Sequence, residues 1–156
     1  MIPLDIPGRK KLTLKNIVLD FNGTIALDGV LLPGVQNKLN DISEILDVYI
    51  ITADTFGTVK AACSSINCKL AVLTEKLGAY EKMKFIESLG QQETAAIGNG
   101  NNDVLMLEKA VLGILVTGPE GSSKKALMAA DVVVRDIITG LDLFLNPKRL
   151  VATLRE

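Results

Sequence analysis

The chain has 156 residues, 48% of them hydrophobic, and 17 basic side chains stand against 18 acidic ones for a net charge of -1. That length suits one domain with one substantial core, and near-neutral charge without a long basic run argues against a general nucleic-acid partner or an anionic membrane surface. The absence of histidine excludes Ser-His-Asp and Cys-His catalysis and His-bearing zinc sites, so chemistry at neutral pH falls to carboxylates, amides, lysine, hydroxyls and a bound hard cation.

The opening segment, MIPLDIPGRKK, has no signal-peptide core, and no apolar run approaches the ~20 residues of a membrane helix, which points to the cytoplasm. Residues 17–21 read as a first strand. Asp28-Gly29, set between apolar runs in IALDGVLL, predicts a tight β-hairpin directly after it. Beyond Pro33-Gly34, the residues Val35, Leu39, Ile42 and Leu46 recur at helical spacing. A second strand is predicted over 48–52, then a helical stripe of Phe56, Val59, Cys63 and Ile66, then a third strand over 69–73 that Cys68 opens. Both cysteines read as small buried residues. Phe85, Ile86 and Leu89 mark a further helix, and strands follow over 94–97, 112–116 and 132–134. Ser122 or Ser123 caps the helix carrying Ala126, Leu127 and Ala130. A C-terminal helical region over 137–156 carries Ile137, Leu141, Phe144 and Leu145, with Pro147 opening its last turns. Short apolar strands alternating with helices predict an α/β fold with a doubly wound, mostly parallel sheet. Aromatic residues make up 4% and Trp is absent, which argues against a base-stacking platform.

Ligands of such sheets bind beyond the carboxyl ends of the strands. Three of those ends run straight into small oxygen-bearing residues: Asp20 to Thr24 (DFNGT), Thr52 to Asp54 (TAD) and Gly98 to Asp103 (GNGNND). Asp20 is a carboxylate at the mouth of a buried strand. Gly23 permits a tight turn that aims N–H groups inward, and Thr24 adds a hydroxyl. Such a turn suits a phosphate and a hard divalent ion. GNGNND is not a dinucleotide loop, because Asp103 stands where that fingerprint needs its third glycine.

In order, these three ends resemble the motifs of the haloacid dehalogenase superfamily of phosphatases and phosphotransferases. LDFNGT resembles its apolar-DxDGT motif, ITAD the strand-end Ser/Thr motif, and GNGNND the GDGxND motif. The likeness covers roughly residues 15 to 135 of a single domain spanning 1–156. The hairpin resembles that superfamily's flap. Three lysines are candidates for the remaining motif: Lys76, Lys82 and Lys84. Lys82 fits, because Phe85, Ile86 and Leu89 follow it at three, four and seven residues.

The resemblance implies an aspartyl phosphate on Asp20, with Asn22, Thr52 and Lys82 as the other catalytic positions. It implies Mg²⁺ as cofactor, held by Asp20, the Asn22 carbonyl, Asn99 and Asp103, the last supporting either Lys82 or the water shell of the metal. Phosphoryl oxygens would meet Gly23, Thr24, Thr52, Ala53, Lys82 and Asn102. Two positions depart from the hydrolase pattern. Asn22 stands where the phosphatases carry their acid/base Asp, which implies slow hydrolysis, and Asn99 replaces a charged metal ligand. Asn22 and the GxGxND ending make the "soluble P-type ATPase-like" branch the nearest match. The 27 residues between Thr24 and Thr52 hold a flap and one helix but no cap domain. An open site of this kind suits a small or macromolecular phosphorylated substrate, or a second copy of the chain as cover. The competing expectation is a retired scaffold that binds phosphate, metal or a partner without turnover.

Overall fold

Two short antiparallel strands, β1 (Ile2–Leu4) and β2 (Leu12–Leu14), precede the first long strand, β3 (Asn16–Asp20). The computed structural model describes residues 1–53, 57–74 and 78–156. Asp54, Phe56 and Lys76, each singled out in the sequence, lie outside the described residues. After β3 come β4 (Ala26–Leu27) and β5 (Val30–Leu31), α1 (Val35–Ser43), β6 (Asp47–Thr52), α2 (Thr58–Ala62), β7 (Lys69–Val72) and α3 (Gly78–Leu89). The second half holds β8 (Thr94–Gly98), α4 (Val104–Lys109), β9 (Leu112–Val116), α5 (Lys124–Ala129), β10 (Val132–Val134), α6 (Ile137–Leu145) and α7 (Pro147–Leu154).

Six strands form one sheet in the order β10-β9-β8-β3-β6-β7, and every neighbouring pair is parallel. This is the doubly wound α/β sheet that the strand pattern predicts. The chain winds outward from β3 through β6 to β7, then returns to β8 and winds the other way. Strand direction of winding reverses beside β3, and that reversal opens a crevice at the carboxyl ends of β3 and β8.

Alternation along β3 divides the core. Ile17 and Leu19 face the layer built from α1, α6 and α7, whereas Val18 faces α3, α4 and α5. By the same two-residue period, Asp20 leaves the strand on the α3 side. The side chains of both layers are packed out of water, so the strand holds its terminal carboxylate in a fixed place.

The flap forms as predicted. Asp28 (φ 51) and Gly29 (φ 82) both occupy the left-handed region, the requirement of a type I′ turn, and β4 pairs antiparallel with β5. No other insertion separates β3 from α1, and β7 joins α3 through residues 73–77 alone. Ser123, rather than Ser122, caps α5 by accepting the Ala126 N–H at 3.0 Å. Cys63 is buried as expected, but Cys68 is only half-buried, because it precedes β7, the last strand of the sheet. Among the described residues, no helix is long and apolar enough to cross a membrane.

Candidate active site

A polar cleft of about 640 Å³ opens above the carboxyl ends of β3, β6 and β8. Asp20, Asn22, Thr52, Ala53, Asn99 and Asn102, all anticipated from the strand ends, line it. The flap closes one side. Asn22 Oδ1 accepts the Gly29 N–H at 2.9 Å, so this amide ties the hairpin tip to the end of β3.

Beneath the cleft lies a buried charge triad. Lys82 projects from α3, one helical turn before the core residue Ile86, and is 1% exposed. Its Nζ donates to Asp20 Oδ1 at 2.5 Å and to Asp103 Oδ1 at 2.7 Å. Lys84, by contrast, is exposed and pairs with Glu87 at 3.1 Å. Asp103 is fully buried, and its Oδ2 accepts the N–H groups of Asn99 and Gly100, both at 2.9 Å. The 3-10 turn Asn101–Asp103 folds it back under the strand end. Gly98 makes this approach possible, since a Cβ there would stand 2.5 Å from Asp103 Cγ.

Two carboxylates around one ammonium leave the triad with one excess negative charge. Burial, and then the charge of Asp103, push the Asp20 carboxyl up to about 6, while Lys82 and Thr24 pull it down. Burial works against the Lys82 charge, yet its two carboxylate partners outweigh it and hold the ammonium above the ordinary lysine value.

The expected placements of Gly23, Thr24 and Lys82 differ, and that of Asp103 narrows to one of its two roles. Gly23 and Thr24, expected against phosphate, do not line the cleft. The Gly23 N–H donates to Ala26 O at 2.7 Å and the Thr24 N–H to Phe21 O at 3.3 Å, so the turn consumes both donors. Thr24 is fully buried, with its hydroxyl between Asp20 Oδ2 and Asn99 Oδ1. Asp103, expected to support either Lys82 or the water shell of the metal, has both carboxylate oxygens engaged by protein donors, Lys82 among them, and so takes the first of those two places. Lys82 likewise stands behind Asp20 and outside the cleft lining, as a consequence of that pairing.

The donor set fits a hard cation. Thr24 Oγ1 lies 3.3 Å from Asp20 Oδ2 and 3.3 Å from Asn99 Oδ1, and its one hydrogen cannot serve both. Oxygens of two nine-tenths buried residues thus converge with a deficit of donors, a set that would fit a hard cation such as Mg²⁺ with its preference for oxygen and retained water. Among the described residues, no three His, Cys, Asp or Glu side chains gather as a metal cluster, so such an ion would rely on amide, carbonyl and water oxygens as well.

Glu120, Asp28 and Thr58 also line the cleft, and none of them is among the site residues expected from the sequence. Asp28 has a signal, as the flap tip. Glu120 belongs to a fourth polar strand end, TGPEG after β9, which has the composition of an ordinary turn.

No family model matches the chain. It is 47% identical over 88 residues to the uncharacterized protein MJ0073 of Methanocaldococcus jannaschii, covering 53% of this chain and 95% of that protein. It is 40% identical over 72 residues to phospholipid-transporting ATPase VD of Homo sapiens, which spans 46% of this chain and 5% of the ATPase. Among solved structures, it resembles 3-deoxy-D-manno-octulosonate 8-phosphate phosphatase from Moraxella catarrhalis, in complex with a magnesium ion, a phosphate ion and the sugar acid. The TM-score is 0.63 at 19% identity, over 91% of this chain and 94% of that one. A zinc-transporting PIB-type ATPase in the E2.Pi state gives a TM-score of 0.65 at 20% identity, over 79% of this chain and 20% of that one. The chain shares the fold of that phosphatase and of the ATPase domain, and it belongs to the same family as MJ0073.

Proposed function

We propose that this chain is a Mg²⁺-dependent phosphatase or phosphotransferase that acts through an aspartyl phosphate on Asp20. The observation that carries the reading is the Asp20–Lys82–Asp103 triad, with its Asp20 end open to a polar cleft at the reversal of strand winding. A carboxylate oxygen of Asp20 attacks phosphorus while the bond from phosphorus to the leaving oxygen breaks. Lys82 stays on the carboxylate and offsets the charge that accumulates there. Asp20, the Asn22 carbonyl and Asn99 would hold Mg²⁺, which supplies charge neutralisation at the phosphoryl oxygens. Thr52 and Asn102, which line the cleft, would meet the phosphoryl oxygens.

The Asn22 amide does not titrate, so it neither protonates a leaving group nor deprotonates water, departure favours an anionic leaving group and hydrolysis of the phospho-aspartate is slow. The capless cleft suits a phosphate monoester on a small or large molecule. One observation favours the retired-scaffold reading instead: the Asn22 amide oxygen is already committed to the flap. Intact-protein mass spectrometry after incubation with acetyl phosphate and Mg²⁺ separates the two. A phosphoryl adduct that maps to Asp20, and vanishes in Asp20→Asn, is the expected result. A wild type that stays unmodified overturns the enzyme reading.

A further inference from the structure

We propose that Glu120 is a carboxylate ligand of the divalent cation and returns the charge that Asn99 lacks, an inference that rests on the phosphoryl-transfer reading above. At the β3 end the cation meets Asp20, whose charge is shared with Lys82. At the β8 end it meets a neutral amide. Asp103, the remaining nearby acid, has both oxygens engaged. A doubly charged ion in such a shell is under-compensated.

The segment between β9 and α5 changes that balance. A Cβ built on Gly23 would stand 2.5 Å from Glu120 Oε2, 2.6 Å from Asn99 Nδ2 and 2.8 Å from Asn99 Oδ1. The carboxylate and the amide therefore flank one small volume that exists because residue 23, at φ +86, has no side chain. Asn99 Oδ1 is also one of the two oxygens that compete for the single Thr24 hydrogen. Among the described residues, no hydrogen bond or ion pair engages the Glu120 carboxylate, which lines the same cleft as Asp20.

The loop is held in place by Asn99 itself. Asn99 Nδ2 donates to Gly121 O at 2.8 Å, and Asn99 O accepts the Ser123 N–H at 2.9 Å. A carboxylate at position 99 would set oxygen against the Gly121 carbonyl. The amide is thus what seats the loop, and the loop carries the charge: Asn99 and Glu120 act as one unit in place of a single aspartate.

Titration of Mg²⁺ into the wild type, Glu120→Gln and Asp20→Asn by calorimetry, with Mn²⁺ paramagnetic resonance as a second readout, tests this. Glu120→Gln is expected to weaken binding by about tenfold or more, and Asp20→Asn to abolish it. The thermal midpoint without metal should not change in Glu120→Gln, since the side chain is exposed. Glu120→Asp, which keeps the charge on a shorter stem, should fall between wild type and Glu120→Gln. Glu120→Gln binding within about twofold of wild type, beside an inert Asp20→Asn, overturns the role of Glu120 and leaves the phosphoryl-transfer reading standing. A wild type that binds neither ion overturns both.

Discussion

Lys82 is the residue on which the site depends most, because its ammonium stands between two buried carboxylates. Replacement by Met keeps the volume and removes the charge. Breaking a buried pair in this way costs about 3–5 kcal/mol, since the abandoned carboxylates cannot be solvated. Urea unfolding at neutral pH should show that loss for Lys82→Met. The Asp20 carboxyl is already raised to about 6 with Lys82 present, so without it the protonated form is favoured further. A carboxyl raised on folding stabilises at low pH and loses that contribution as pH rises through its folded value. The deficit of Lys82→Met should therefore shrink between neutral pH and about pH 5, and a deficit that is flat with pH would contradict the triad. Asn22 is a second test at this scale. An aspartate can accept the same Gly29 N–H, so Asn22→Asp preserves the flap and adds a base. General base assistance is worth roughly 10²- to 10⁴-fold, and dephosphorylation of phospho-Asp20 should accelerate at least about tenfold in single-turnover kinetics. Of the site residues, Asp20, Thr52 and Lys82 were legible because each ends a strand or sits at a helical offset. The burial of Thr24 was not, since it arises from backbone donors consumed inside the turn, and for Asp103 the sequence left support of Lys82 and of the water shell of the metal both open until its second oxygen is seen to hold two backbone N–H groups.

At the scale of elements, the strands were legible because buried parallel strands are nearly continuous apolar runs, and the flap because Asp-Gly admits two left-handed residues in succession. The β1–β2 pair was not. Pro3 and Pro7 break the first apolar segment, and proline lacks the N–H of an interior strand, so MIPLDIPG reads as an irregular lead-in. Yet Ile2 and Leu4 alternate with an exposed Pro3, and that period of two was the available signal. Helix α6 offers a test of local capping. Asp136 accepts the Thr139 N–H at 2.7 Å and the Thr139 hydroxyl at 2.9 Å, and these bonds, the backbone one first, hold its carboxyl below the ordinary value of 3.8. Asp136→Ala should cost about 1 kcal/mol at neutral pH, the usual worth of such a cap. A carboxyl lowered on folding stabilises above its unfolded value and loses that contribution as pH falls through its folded one. The difference between wild type and variant in urea should therefore narrow below pH 3.8. Asp136→Asn, which retains the acceptor, should stay within about 0.5 kcal/mol of wild type at neutral pH.

For the whole molecule, the question is whether the two chain ends belong to the folding unit that carries the motifs. The recognisable motifs end near residue 135, but the core does not. Ile2, Leu4, Ile6 and Leu14 share one buried cluster with Phe144, Leu150 and Leu154, and β1 packs against α7. Glu156 N donates to Pro7 O at 3.2 Å and the Glu156 carboxylate pairs with Arg9 at 3.3 Å, so the C-terminus closes over the N-terminal pair. The ion pair is exposed and contributes little; the apolar contacts decide the matter. Leu4 is 1% exposed, and truncation of a buried leucine to alanine costs about 2–5 kcal/mol. Against a total stability of roughly 5–15 kcal/mol, that is a substantial share. Leu4→Ala should lower the urea midpoint accordingly, in one transition with an unchanged slope. Phosphorylation of Asp20, measured in the absence of urea, should keep its wild-type rate, because Leu4 lies in the layer opposite α3 and touches nothing in the triad. A loss below about 1 kcal/mol would make the N-terminal strands an appendage. A second transition, with only one half responding to the substitution, would split the chain into two units. A loss in the expected range, with the slope retained, makes the strands a seal on the layer that holds the back of β3, and so part of what keeps Asp20 in place.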